Sequence, residues 1–78
     1  MADVDKLIED GVKFATQAVA YDQNGDGKSS IFFYKEAAAA LLKADSYDAS
    51  RNVRSKAMQY IERVEFLRTQ LGTGTNRK

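Results

Sequence analysis

The residues best suited to chemistry sit in one stretch, YDQNGDGKSS, from Tyr21 to Ser30. Asp22, Asn24, Asp26 and Gly27 fill positions 1, 3, 5 and 6 of a calcium-loop pattern, in which closely spaced oxygens wrap a hard cation. The pattern then fails. Position 12, where a bidentate glutamate closes the coordination sphere, holds Phe33, and the next glutamate is Glu36. Position 8, usually apolar, is Ser29. The same residues make a plain turn, because Asp, Asn and Gly tolerate the conformations of a tight helical hairpin. Asp26 can then cap the following helix through the amide of Lys28 or Ser29. The expectation is a turn with no metal, and a degenerate calcium-binding helix–loop–helix stands as an alternative.

Other chemistry is hard to build from this composition. The chain of 78 residues has no cysteine and no histidine. Disulfides and thiolate–zinc sites are therefore excluded, together with the commonest general base. Ser29 and Ser30 have no imidazole to activate them, so a catalytic role is not expected and no cofactor is implied. A domain of this size buries only about 60% of its unfolded surface, enough for one core and little more. No apolar run approaches the roughly 20 residues of a membrane span, so direct membrane insertion is not expected. Net charge is +1, with five Lys against nine Asp/Glu in residues 1–50 and seven Lys/Arg against two Glu in residues 51–78. The basic charges are spread around a helix without aromatic-rich strands, so nucleic-acid binding is not expected. These features point to a soluble, intracellular, non-catalytic module.

Three periodic segments would have to position anything functional. Zero prolines and the run KEAAAALLKA favour helix throughout. The first helix is expected over about 3–21, with Val4, Leu7, Ile8, Gly11, Phe14, Ala15 and Ala18 on one face. The second is expected over about 27–44, with Ile31, Tyr34, Ala37, Ala38, Leu41 and Ala44 inward and DSYD (45–48) as the break. The third is expected over about 48–71. Its residues Val53, Ala57, Tyr60, Val64, Leu67 and Leu71 follow the 4-3-4 seam of shallow helix packing. Gly72 is expected to cap it, and residues 72–78 to form a flexible tail or the start of a linker. The fold class is all-α, an antiparallel three-helix bundle over residues 1–71.

Such a bundle needs one inward stripe per helix, and apolar residues are left over. Met58 and Ile61 lie beside the third helix's seam, bordered by Glu62 and Glu65. Phe32, Phe33 and Leu42 exceed the needs of the second helix, and Val12 and Val19 edge the first. Extra apolar strips on neighbouring helices leave a groove that an amphipathic peptide can occupy, with acids on its rim selecting Arg or Lys. They could equally widen the core, or let the bundle self-associate. As an isolated domain the chain is expected to be monomeric.

AVAYDQNGDGKSSIFFYKEAAAALLKA followed by VRSKAMQYIERVEFLR resembles the microtubule-interacting and trafficking (MIT) domain. The first-half pattern falls on Ala18, Val19, Asp22, Gly25, Phe33, Tyr34 and Ala37. The third-helix pattern falls on Val53, Arg54, Lys56, Tyr60, Ile61, Glu62, Arg63, Val64 and Glu65. The resemblance implies a non-enzymatic adaptor that binds tail peptides of ESCRT-III subunits and is recruited from the cytoplasm to endosomal or other ESCRT-decorated membranes. It further implies that Met58 and Ile61 receive the leucines of a helical motif between the second and third helices, while Glu62 and Glu65 meet its basic residue. Ala38 and Leu42 would form the opposite wall. Val12 and Val19 would serve an extended motif between the first and third helices. Ile61→Asp is then expected to abolish binding while leaving helix content intact. Gly27 and Ser30 stand where the family commonly has a bulky aromatic and an Ala, which predicts a looser first hairpin.

Overall fold

The computed structural model describes residues 3–76. Helix α1 runs Val4–Gln23, α2 runs Gly27–Tyr47, a short 3-10 turn covers Ala49–Arg51, and α3 runs Arg54–Asn76. Gly11 lies against Leu41 and Ala18 against Ser30, so α1 and α2 are antiparallel. Asp45 meets Arg54 and Tyr34 meets Tyr60, so α2 and α3 are antiparallel as well. The bundle is the expected all-α architecture, and α2 is its central helix, packed against both others.

Local chemistry sets the helix ends. Asp3 caps α1 by accepting from the Lys6 amide at 3.1 Å, and Asp26 caps α2 through the Ser29 amide at 3.1 Å. Between them Gly25 takes φ +82°, a left-handed conformation that glycine adopts without steric cost. At the other turn the sequence expectation needs correction, because α2 does not end at Ala44. It continues to Tyr47 because Asp45 stays in the helix, where its carboxylate pairs with Arg54 at 3.6 Å. The break falls at Asp48, which accepts from the Ser50 amide at 3.1 Å. Residues 48–53 are then spent on the 3-10 turn and on Asn52, whose φ of 58° reverses the chain, so α3 starts at Arg54. Nor does Gly72 end α3. The helix continues through Gly72 and Gly74 to Asn76, each added residue gaining a backbone hydrogen bond against a cost of about 1 kcal/mol at each glycine. Of the expected tail, residues 77–78 lie outside the described residues.

The core forms two clusters. Ala18, Tyr34, Val64 and Leu67 fill the half near the α1–α2 turn, with Ile31, Phe33 and Tyr60 packed on them. Ala38, Leu41 and Ala57 fill the other half, flanked by Ile8, Leu42, Val53, Tyr60 and Ile61. Gly11 permits the close α1–α2 crossing, because a Cβ there would sit 2.8 Å from the Leu41 side chain.

Candidate functional site

The calcium-like stretch proves to be a structural staple. Arg63 of α3 donates to both oxygens of Asp22, from Nε to Oδ2 and from Nη2 to Oδ1, each at 2.8 Å. The Tyr34 hydroxyl of α2 donates to Oδ2 of the same carboxylate at 3.1 Å. One acid thus joins all three helices, in the fork geometry that suits guanidinium and carboxylate. The Arg63 hydrogen bonds hold the Asp22 carboxyl below the usual carboxylate range, and burial pushes the Tyr34 phenol up, so it remains a donor at neutral pH. Phe33, at the position where a calcium loop needs glutamate, is stacked between Phe14 and Tyr21.

Ser30 corrects a second expectation. It is fully buried, and its hydroxyl donates to the Ala18 carbonyl at 3.0 Å, tying α2 to α1. A residue expected to loosen the hairpin therefore fastens it. Gly27 acts differently. Where a larger side chain would stand, Leu71 of α3 approaches to 3.6 Å of a built Cβ. A cavity of about 240 Å³ opens beside it, lined by Asp22, Gly25, Gly27, Arg63, Phe66, Leu67, Gln70 and Leu71.

The residues expected to line the α2–α3 groove fall into three layers. Ala38 is buried in one cluster with Leu41 and Ala57, so it lies at the floor between α2 and α3. Leu42 and Ile61 are half-buried against that seam, one from each helix. Met58 lies above them at 43% exposure, and Glu62 and Glu65 are exposed. Glu65 reaches Arg68 at 4.0 Å, an exposed pair of small energetic weight that an incoming cation can displace. The half-burial of Ile61 also revises the proposed variant, because Ile61→Asp would strip packing from the core as well as from the surface. Met58 is the cleaner probe.

Val12, at 55% exposure, and Val19 lie on the side of α1 that carries Asp22, and Asp22 meets α3. The sequence reading passed over another exposed apolar residue, at the α1–α2 turn end of α3. Phe66 stands three residues beyond Arg63 on α3, half exposed, with the Arg63 guanidinium 4.9 Å from its ring centre. Its signal was available: an aromatic off the seam by the same kind of step that singled out Met58.

Residues 8–69 match the model of the MIT (microtubule interacting and transport) domain. Human calpain-7 is 41% identical over 66 residues, which cover 83% of this chain and 8% of that protein. Calpain-7 of Mus musculus is 39% identical over the same extent, so the chain spans a small part of the curated relatives it matches. No solved structure matches it significantly. With the three-helix bundle, the Asp22–Arg63 link and a family match across both turns, the chain belongs to the MIT domain family of protein-interaction modules.

Proposed function

We propose that this MIT domain docks tail peptides of ESCRT-III subunits, with a helical motif lying between α2 and α3. In that role it is a non-catalytic adaptor that brings an attached protein from the cytoplasm to endosomal or other ESCRT-decorated membranes. The observation that carries the reading is Met58, exposed above the half-buried pair Leu42 and Ile61 and bordered by Glu62 and Glu65. A peptide leucine entering there would cover apolar surface the bundle leaves open, and a peptide Arg or Lys would meet the two acids. A single short helix must be ordered on binding, so the affinity is expected to be about micromolar or weaker.

Val12 and Val19, both exposed on α1, support a second site, for an extended motif between α1 and α3. An amide-resolved titration with one helical-motif and one extended-motif tail peptide separates the two. Shifts centred on Met58, Ile61 and Glu65 are expected for the helical motif, and shifts at Val12 and Val19 for the extended one. Met58→Asp should weaken the helical peptide by roughly tenfold or more while circular dichroism stays unchanged. Unchanged affinity in that variant would remove the α2–α3 groove from the account.

A further inference from the structure

The outward face of α2 carries a stripe used by neither groove. Because α2 lies between its neighbours, Phe32, Glu36, Ala39, Lys43 and Tyr47 are exposed on that face and Ala40 is half-buried. Their spacing of three and four residues keeps them in one row along the helix. Phe32 is 54% exposed and Tyr47 56%, high values for large aromatics. The Phe32 ring is held edge-on against Phe33 at 5.0 Å, so it is presented by a packed neighbour. Among the described residues neither Glu36 nor Lys43 has an ion-pair partner.

The row is complementary to its own reverse. Aromatic, acid, small, small, base and aromatic are disposed symmetrically about the midpoint between Ala39 and Ala40. We propose that two copies of this chain pair through α2, antiparallel about a two-fold axis at that midpoint. The operation sets Phe32 of one copy against Tyr47 of the other, Glu36 against Lys43, and Ala39 against Ala40, and it does each twice. An isologous interface has to be self-complementary, and this row meets the condition in charge, size and aromatic content together. The two alanines let the backbones approach closely at the centre, while the aromatics close the ends. One helix pair buries less than the ~1,200 Å² of a stable complex, so the dimer is weak and the isolated domain is monomeric when dilute. Tethering several copies to one assembly supplies an effective concentration on the order of millimolar, at which the contact forms.

The test is sedimentation of the chain from roughly ten micromolar to one millimolar, with charge-reversed variants run beside it. The wild type is expected to shift from monomer to dimer over that range. Glu36→Lys alone and Lys43→Glu alone each place like charges across the axis and should weaken the dimer by roughly tenfold or more. An equimolar mixture of the two single variants restores both opposite-charge pairs, so heterodimer should form where neither variant pairs alone. The positions are exposed, and unchanged circular dichroism confirms that the variants fold. A wild type that stays monomeric at the top concentration overturns the proposal, as does a mixture no better than its components. Amide shifts at Phe32 and Tyr47 produced by a tail peptide, without any self-association, would assign the face to the peptide and overturn it too.

Discussion

The two ends of the bundle are held by different forces. Near the α1–α2 turn, directional bonds converge: Arg63 and Tyr34 on the Asp22 carboxylate, Ser30 on the Ala18 carbonyl. Near the α2–α3 turn, the interior is a seam of Ala38, Leu41 and Ala57, and the ion pairs Arg54–Asp45 and Arg51–Asp5 each have one strongly exposed partner, Arg54 and Asp5. Small residues let helices approach but leave their larger neighbours Leu42 and Ile61 half-covered. The polar end therefore fixes how the helices are set against one another. The apolar end has surface that a ligand can still cover.

That contrast is broken most severely at its apolar end. Leu41→Ala empties the seam where Leu41 meets Gly11 and should cost about 3 kcal/mol, read from urea unfolding. A cost below about 1 kcal/mol would mean that the small-residue seam collapses to fill the space. At the polar end, Arg63→Met leaves the mostly buried Asp22 with one donor and should cost about 2 kcal/mol. The pH dependence sharpens the point. Because Arg63 depresses the folded-state pKa of Asp22, the stabilisation is complete above the ordinary carboxylate range and is lost as pH falls through the depressed value. Wild-type stability should decline below about pH 4, and Arg63→Met should flatten that decline. An identical acid limb in both proteins would show that the pair carries no such linkage.

The same contrast explains what was legible in the sequence. Apolar periodicity marks the seam residues, because a core needs repeated contacts on one helix face, and Tyr34, Leu41, Ala57, Val64 and Leu67 are buried as their spacing requires. Directional bonds leave no periodic trace. Asp22 looked like a cation ligand because its partner, Arg63, lies far along the chain and only the fold brings the two together. Ser30 looked like a weakness because a hydroxyl in place of a methyl is read as a loss until its acceptor is known. The end of α2 was misplaced for a related reason: Asp45 resembles a break residue in isolation and is kept helical by Arg54 across the turn. Among the groove residues, Met58 and Val12 stand clear of the seams by spacing alone, whereas the burial of Ala38 depends on how closely α3 approaches.

Smaller effects test the polar end in detail. Ser30→Ala removes the bond to the Ala18 carbonyl while adding helix propensity, and should cost about 1 kcal/mol net. A gain in stability would mean that the hydroxyl is tolerated there without fastening the hairpin.

The two turn glycines provide the finest discrimination, because the same substitution should act with opposite sign two residues apart. Gly25 has open space around a built Cβ, yet its φ of +82° strains any L side chain, so Gly25→Ala should destabilise by about 1 kcal/mol. Gly27 opens α2, and a Cβ there meets Leu71 at 3.6 Å, ordinary van der Waals contact. Gly27→Ala therefore adds packing and restricts the unfolded chain, and should stabilise by about 0.5 kcal/mol, seen as a higher thermal midpoint. If both variants lose stability, the space beside Gly27 does not accept a methyl group, and the turn is set by Leu71 as tightly as by the backbone of Gly25. If the signs differ as expected, only Gly25 is required by the fold, and Gly27 is a gap between α2 and α3 that the sequence leaves partly filled.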